Sequence, residues 1–545
     1  MTTDKQQQKL SLIENGNGTT KPQIVKKTIN GHPTPVHTEP HNSKLERGKA
    51  FRQILAAFIA NIGPMNTGLI FGFSAVVIPQ LQSPASSIQI NEDQASWVAS
   101  LSSLSTPIGC ILGGYLSDRI GRKKTLIFTE IPLILGWLII AFASQIEMIY
   151  IGRLLCGLGS GIVGAPARVY TSEVTQPHLR GMLTALSSVA LSFGVLMQYT
   201  LGAFLSWQML SAVSCIVPVI AFIGMCMLPE TPNFLITHQK PEKALKSLTR
   251  LRGSCYNFQK EINQLQAFAE KTNTAKKPTG KEMLDALLAP SCLKPFFILV
   301  VYFMLYQFSG VNTITFYAVE IFQDSGADMD KYTATIILGA LRFVFTIVGC
   351  IALRRCGRRP LSFISGIGCG ITMLGLGLFM YYKQQCELQG IAPMHTWIPV
   401  ACIFIFIITC TLGFLVVPWI MIGELYPMKV RGIVGGFTTC AAHSFVFIVV
   451  KTYPLLCHGV ERHGAFVIYG LISFVAATFF YFYLPETKGK TLQEIEDYFS
   501  GRISTLDTKK LEKINNNLNN NITNNNNNNQ IVLIMESEKL LNQKQ

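Results

Sequence analysis

The sequence predicts an all-α membrane protein of twelve transmembrane helices, arranged as two pseudo-symmetric six-helix bundles. Of its 545 residues, 49% are hydrophobic and only 14% are charged, against roughly 25% charged residues in ordinary soluble proteins. The apolar residues fall in twelve long runs, and three charged motifs occur once in each half of the chain. Together these observations favour a polytopic membrane protein over a soluble multi-helix core.

Each apolar run has about the 20 residues that a helix needs to cross a bilayer. The predicted spans lie near 54–80, 97–116, 125–143, 148–170, 183–205, 210–228, 295–320, 332–353, 361–382, 397–422, 433–456 and 465–484. The first 50 residues are polar and contain no cleavable signal peptide, so we expect the first span to act as its own insertion signal.

Lysine and arginine are distributed unevenly between the loops on the two sides of the membrane. With both chain ends on one side, the short loops there carry eleven of these residues and the opposite loops carry four. This excess predicts that both termini are cytoplasmic. We expect a multi-pass protein of the plasma membrane. The net charge of +15 is spread over short loops rather than one patch, so we do not expect a nucleic-acid partner.

Composition divides the chain into five regions. We expect a disordered cytoplasmic N-terminus at 1–50, six-helix bundles at 51–228 and 295–484, a cytoplasmic helical linker at 229–294 and a cytoplasmic tail at 485–545. In the linker, 241–253 and 258–268 repeat apolar residues every three to four positions, which predicts short amphipathic helices. The tract 515–529 contains twelve Asn in fifteen residues and cannot bury a core.

The charged motifs recur in register. Glu173 and Glu424 each stand seven residues before an Arg-Gly pair and are 251 residues apart. The other two motif pairs, at offsets of 236 and 256, are Gly121 with Gly357 and "PETP" (229–232) with "PETKGK" (485–490). Three such recurrences predict one six-helix unit used twice, the parallel repeat of transporters that hold a substrate between their halves.

These motifs resemble those of the sugar porters of the major facilitator superfamily over about residues 50–502. The stretches "APARVYTSEVTQPHLRGMLTALSS", "ASWVAS" and "PETKGKTLQEIED" are similar to the insect facilitated trehalose transporters. The resemblance implies the major facilitator fold, alternating access and downhill movement of a sugar.

The resemblance also implies a conformational latch at the cytoplasmic helix ends. Its residues are Arg119, Arg122, Glu173, Arg180, Glu230, Arg358, Glu424, Arg431 and Glu486. Carboxylates and guanidinium groups at abutting helix ends form bidentate bonds that favour one conformation over another. The alternative is that these charges only mark topology.

The sugar site is expected among polar residues of the spans, because a neutral sugar needs hydrogen bonds and an aromatic face. In "YQFSGVNTITFY" (306–317), Gln307 and Asn312 are near one face of span seven, and Gly310 loosens the helix. The stretch resembles the family's Gln-Gln-x-Ser-Gly-x-Asn motif, with Tyr306 in place of the first Gln. The alternative is that both amides bond to a neighbouring helix.

Two further candidates complete the predicted sugar site. Trp419 in Pro418-Trp419 matches the family's Pro-Trp pair, whose indole resembles a floor under the sugar; a lipid-interface Trp is the alternative. Ser188 of span five adds a hydroxyl.

Three positions depart from the family pattern. Arg354 stands where the second half usually has an acid, 415–417 reads Leu-Val-Val in place of Gly-Pro, and the family's Asn-Trp pair falls at Ala442-His443. Because of these departures, a non-transporting membrane receptor that senses sugar remains an alternative to a transporter. The sequence does not decide between trehalose and a hexose, or indicate the oligomeric state.

No enzyme is predicted, because we find no nucleophile–base pair, metal-ligand spacing or phosphate loop, and no cofactor is expected. No Asp or Glu occurs between Arg52 and Glu92, so span one is neutral and proton coupling is not predicted. Glu130 and Glu320 are the acids that could carry a proton instead, but they lie towards opposite ends of their spans and not at the centre of the membrane.

Cys386 and Cys457 lie in or beside outer loops, where a disulfide could form.

Overall fold

The computed structural model describes residues 50–253, 258, 261–267, 280–326, 329–427 and 430–502. The predicted disordered N-terminus and the Asn-rich tract lie outside these residues. The described residues form helices and loops and contain no strand.

The transmembrane helices are numbered TM1 to TM12 in chain order. TM1 to TM6 are Ala50–Leu81, Glu92–Ile120, Arg122–Ala141, Ile146–Val174, Pro177–Phe204 and Trp207–Met227. TM7 comprises Pro290–Phe308, Val311–Phe316 and Ala318–Ser325, and TM8 to TM10 are Lys331–Arg355, Arg358–Leu388 and Trp397–Leu425. TM11 and TM12 are 431–460 and 462–483.

The last two helices follow each other with almost no loop. The segment Arg431–Tyr483 has 53 residues, a length of about 80 Å as one straight helix, whereas the hydrocarbon core is about 30 Å thick. Glu461 has φ 60° and ψ 169°, a non-helical conformation that separates TM11 from TM12. The described residues therefore contain twelve spans, and the predicted fold class is confirmed.

Shorter helices lie between and after the halves. Pro232–Thr237, Pro241–Arg252 and Gly280–Leu288 connect TM6 to TM7, and Leu492–Phe499 follows TM12. Pro241–Arg252 is the first of the two amphipathic segments predicted for the linker. We call the side of the membrane that carries these short helices the linker side, and the other the opposite side.

Small residues allow close packing of helices inside the first half. A side chain at Gly68 of TM1 would overlap the backbone of Leu191 in TM5, and one at Gly157 of TM4 would overlap Ser102 in TM2. Such backbone approach is typical of membrane helices, which gain little from burying apolar surface that lipid already covers. Large apolar side chains such as Ile111 and Ile220 stay exposed on the outer faces.

The two halves meet along TM2–TM11 and TM5–TM8. In the first contact Lys451 Nζ lies 2.7 Å from Ser96 Oγ, and in the second Ser192 Oγ lies 2.8 Å from Thr346 Oγ1. In the repeat, TM2 corresponds to TM8 and TM5 corresponds to TM11. A pseudo-two-fold rotation that exchanges the halves therefore places the TM2–TM11 contact on the TM5–TM8 contact. This exchange is the pseudo-symmetry that the repeated motifs predict.

Candidate functional site

The linker-side charges of the first half form a site around the start of TM3. Glu230 Oε1 accepts a hydrogen bond from the backbone N of Lys123 at 3.0 Å, so a carboxylate faces the positive end of the helix. Arg122 Nη2 lies 3.3 Å from Glu173 Oε1 at the end of TM4, and Asn233 also donates to this oxygen. These contacts connect the linker-side ends of TM3, TM4 and TM6.

The second half repeats this site around the start of TM9. Glu486 accepts hydrogen bonds from the backbone N of Arg358 and of Arg359, at 3.1 and 3.2 Å. Arg358 donates through two nitrogens to Glu424, at 3.2 and 2.6 Å, and Thr487 Oγ1 donates to the same carboxylate. The repeated Glu and Arg-x-Gly-Arg motifs therefore supply equivalent groups to two equivalent sites.

The repeated glycines explain why these sites are so compact. A side chain at Gly121 would overlap the Glu230 carboxylate, and one at Gly357 would overlap Glu486. Gly121 also has φ 103°, a conformation that favours glycine. The glycine that precedes each arginine thus lets a carboxylate reach the first turn of the helix.

The remaining latch residues have other neighbours. Arg119 donates to the Tyr115 hydroxyl, and Arg431 donates to the Tyr426 carbonyl at 3.1 and 2.9 Å. Arg180 has no carboxylate within 4.0 Å among the described residues. Among the described residues, the linker-side ion pairs join helices of one half rather than the two halves. Glu173 does not pair with Arg180, and Glu424 does not pair with Arg431.

The second site has its anions although Arg354 replaces the acid that the family usually has there. Arg354 is exposed, and Glu424 and Glu486 supply the two carboxylates instead. The anions come from TM10 and from the segment after TM12, not from the loop that carries the arginines.

We predict that Glu424→Gln changes the maximal transport rate several-fold and the apparent sugar affinity less. The substitution removes one charge of a pair that is only 15% and 24% exposed, which shifts the balance of conformations by about 1 kcal/mol or more. Zero-trans uptake at saturating and subsaturating sugar measures both quantities. Glu387→Gln, which removes an exposed carboxylate paired with Lys383 on TM9, is the control; equal effects of the two variants would make Glu424 a topology marker.

TM7 is broken at the predicted sugar motif. The helix stops at Phe308 and resumes at Val311, and Gly310 has φ 88°. Across the break Asn312 Nδ2 donates to Gln307 Oε1, and both side chains are buried. Gln307 Nε2 and Asn312 Oδ1 make no hydrogen bond to the described residues, so the pair still offers one donor group and one acceptor.

This part of TM7 lies against the first half. Tyr199 of TM5 donates to the Thr315 carbonyl at 2.6 Å, and the Phe71 ring of TM1 is 5.1 Å from that of Phe316. Arg342 of TM8 donates to Thr315 Oγ1 at 2.8 Å. The amide pair is therefore close to the boundary between the halves, where a substrate would contact both.

Trp419 lies beside the same face of TM7. Its ring centroid is 4.9 Å from that of Phe303, which is one helical turn before Gln307, and 5.9 Å from that of His443. His443 is held by a 2.9 Å contact between Nδ1 and the Thr439 carbonyl. Trp419 is half-buried inside the protein, which argues against a lipid-interface role.

The helix break in TM10 persists without the family's Gly-Pro. The helix stops at Leu412 and resumes at Val417, where Pro418 occupies the first turn. Gly413 packs directly on the Leu361 carbonyl, and Phe414 N donates to Ser365 Oγ at 3.2 Å. Leu-Val-Val at 415–417 thus does not produce a continuous helix.

Neither Tyr306 nor Ser188 makes a side-chain hydrogen bond to the amide pair. Tyr306 is buried with its ring centroid 6.2 Å from that of Phe414, and Ser188 is half-buried on TM5. Neither side chain makes a hydrogen bond to another described residue. Cys386 and Cys457 are free thiols.

Among the described residues, two contacts between a basic and an acidic side chain join the halves, and both lie where the halves meet on the opposite side, which we call the opposite mouth. Lys451 Nζ is 2.8 Å from Asp93 Oδ1, and His458 Nε2 is 2.8 Å from Glu92 Oε2. Lys451 also lies 4.1 Å from the Trp97 ring centroid. This contact was not predicted from the sequence, although Asp93 and Lys451 stand at the ends of spans, where charges are rare.

Twelve spans in two halves related by a pseudo-two-fold axis, with broken polar helices at their boundary, define the class of major facilitator membrane transporters. The chain matches the family model described as "Sugar (and other) transporter" over residues 56–499. The protein is a multi-pass membrane protein that belongs to this sugar transporter family, a class of transporters rather than enzymes.

Similar proteins agree with this assignment. The chain is 33% identical to the facilitated trehalose transporter Tret1 of Bombyx mori over 457 residues, which cover 84% of this chain and 88% of the relative. It is also 33% identical to Tret1 of Apis mellifera ligustica, with 86% and 92% covered. The xylose transporter XylE from E. coli, in a partially occluded inward open conformation, has the same fold, with a TM-score of 0.67, 21% identity and 81% and 100% coverage.

Proposed function

We propose that the protein carries a sugar, trehalose in the first place, down its concentration gradient by alternating access. The observation that carries this proposal is the broken TM7, which presents an amide donor and an amide acceptor at the boundary between the halves. The facilitated trehalose transporters that the chain resembles support the choice of sugar.

The proposed site combines polar and aromatic groups. Gln307 and Asn312 bond sugar hydroxyls, and Trp419 supplies the flat apolar face on which a pyranose ring rests. We assign Tyr306 and Ser188 to the outer part of this site. They reach the sugar when the helices around them move. The two linker-side charge sites hold the linker-side helix ends of each half in one arrangement and separate when that side opens, which is the role we propose for the latch.

Alternating access needs contacts that differ between conformations. Asp93–Lys451 and Glu92–His458 hold the opposite mouth closed, so that mouth opens only when both pairs separate. Exposed pairs of this kind contribute about 0–1 kcal/mol each, which is small enough for a bound sugar to overcome.

Transport is proposed to be uncoupled to ions. TM1 contains no Asp or Glu, whereas a carboxylate is the usual group that loads and releases a proton inside a membrane. Glu130 is buried within the first half and Glu320 lies near Arg462 at the opposite mouth, away from the amide pair.

We also propose that the linker side is cytoplasmic and that the protein resides in the plasma membrane. The excess of Lys and Arg in linker-side loops supports this orientation. Epitope tags at residues 20 and 530 are then shielded in intact cells, and surface labelling of either tag without permeabilisation contradicts the orientation.

The test is a sugar panel in sealed proteoliposomes containing the full chain. We predict saturable uptake of labelled trehalose that stops when the inside and outside concentrations are equal, with or without an inward proton gradient. Accumulation above the outside concentration, abolished by a protonophore, would show coupling.

The panel also separates the alternatives. Faster uptake of glucose than of trehalose would identify a hexose facilitator. Saturable binding without flux of any sugar would favour a sugar-sensing receptor; the preserved TM10 break argues for a transporter, because it retains a flexible point beside the site.

A further inference from the structure

TM4 contains a cation, Arg168, that has no ion-pair or hydrogen-bond partner among the described residues. Arg168 lies six residues before the linker-side end of TM4, about 9 Å inside the helix. No carboxylate lies within 4.0 Å of its guanidinium among the described residues, and it donates no hydrogen bond to them. An ionised side chain inside a span is costly and is usually paired, or marks the path of a substrate or ion.

The other cation of TM4 shows what a structural arginine looks like in this fold. Arg153 is fully buried and donates five hydrogen bonds, to Ile70 and Ser74 of TM1 and to Val98, Ala99 and Ser102 of TM2. Arg168 has none of these bonds. Its charge is therefore not explained by the packing of the first half.

The repeat locates Arg168 on the pseudo-two-fold axis. Arg168 is 251 residues before Trp419, the same offset that separates Glu173 from Glu424, so the two residues occupy equivalent positions in TM4 and TM10. The guanidinium carbon of Arg168 lies 5.2 Å from the Trp419 ring centroid. Two equivalent residues from opposite halves can touch only beside the axis, which is where the substrate cleft lies.

Among the described residues, no carboxylate surrounds Arg168. The ionisable groups close enough to interact with it electrostatically are the Cys110 thiol of TM2 and the His443 imidazole of TM11. Gly164, one turn earlier on TM4, faces open space. A guanidinium on an indole face, next to an open gap, has its donors free for a planar or tetrahedral oxyanion.

We propose that Arg168 forms an anion subsite of the sugar cleft, so that the protein accepts sugars that carry one carboxylate or phosphate group. The sugar ring lies between the Trp419 indole and the amide pair, and its anionic group accepts hydrogen bonds from the guanidinium. The inference rests on the proposed function, because it assigns a second substrate class to the same cleft.

The test measures binding to the purified full chain by ligand-induced thermal stabilisation. The probes are glucose, glucuronate, glucose 6-phosphate and inorganic phosphate, each titrated alone. The variants are Arg168→Gln, Arg168→Lys and, as a control, Lys246→Gln, which removes an exposed charge of the linker helix. Uptake of labelled trehalose is measured on the same preparations.

We expect glucuronate or glucose 6-phosphate to reach half-saturation at a concentration about tenfold or more below that of glucose, the usual size of a charge-assisted contact. We call the half-saturation concentration of glucose divided by that of the charged sugar the anion preference ratio. Arg168→Gln brings this ratio within about threefold of one, Arg168→Lys lowers it in part, and Lys246→Gln leaves it unchanged. If Arg168→Gln does not fold, a lowered ratio in Arg168→Lys supports the inference and an unchanged ratio overturns it.

Other outcomes are also decisive. A wild-type ratio near one, or a high ratio that persists in Arg168→Gln, overturns the subsite. If inorganic phosphate stabilises the protein against heat as well as the charged sugars do, the guanidinium binds an adventitious ion only, and the sugar subsite is overturned. Trehalose uptake without a preference for charged sugars contradicts this inference alone. A preference for charged sugars without uptake of any sugar contradicts the proposed function and still supports the subsite.

Discussion

Arg153→Met is expected to prevent the protein from accumulating in a folded form. Methionine keeps an apolar stem of similar length but removes all five hydrogen bonds of the guanidinium. These bonds join TM4 to TM1 and TM2, and each contact to a charged group contributes about 1.5–3 kcal/mol. Even half of that sum is a large part of the roughly 5–15 kcal/mol by which proteins are stable.

The measurement is the yield of monodisperse protein in mild detergent and the melting temperature of whatever fraction is recovered. Arg355→Met is the matched control, because Arg355 is an exposed cation in the last turn of TM8, and we expect no change there. A melting temperature for Arg153→Met within a few degrees of wild type would mean that water replaces the guanidinium and that its five hydrogen bonds contribute little to the stability of the first half.

The fold could be predicted from the sequence because it depends on quantities that are local. A run of about 20 apolar residues identifies a span wherever it occurs, and all twelve predicted spans overlap observed helices. The helices extend beyond the apolar runs at their ends: TM9, for example, begins at Arg358 and ends at Leu388. Charged residues at helix ends are compatible with a helix but lower the hydropathy from which a span is predicted.

The partners of the charged residues could not be predicted in the same way. Glu173 and Arg180 are neighbours in sequence, yet Glu173 pairs with Arg122 of another helix. Which carboxylate reaches which arginine depends on how TM3 and TM4 pack, and on glycines such as Gly121 that admit the Glu230 carboxylate. A repeated motif shows that the halves are equivalent but does not show the pairing inside each.

The two cations inside TM4 were missed for a different reason. Arg153 and Arg168 lie within one predicted span, 148–170, whose hydropathy remains high despite both charges. A charge inside a span was the signal that could have found them. Sequence alone would still not separate them, because only the structure distinguishes five bonds on Arg153 from none on Arg168.

Asn312→Ala is expected to weaken sugar binding about 5- to 150-fold, the equivalent of about 1–3 kcal/mol. The substitution removes the acceptor that we assign to a sugar hydroxyl and leaves Gln307 Oε1 without its present partner. Gln307→Ala is expected to have a similar effect. Because the two amides bond to each other, the double variant should lose less than the sum of the single losses.

The measurement is the dissociation constant of the transported sugar for each purified variant, together with its melting temperature. Gln80→Ala is the control: this TM1 amide donates to the Gly202 and Leu205 carbonyls, at 3.1 Å each, within the first half and towards the opposite side. It should lower the melting temperature without changing affinity. Asn312→Ala should weaken sugar binding and leave the melting temperature nearly unchanged. The helix break beside the amide pair depends on Gly310 and does not need the bond between the amides. Wild-type affinity in both Asn312→Ala and Gln307→Ala would show that the amides only hold the broken helix together, and the sugar would then have to bind elsewhere along the cleft.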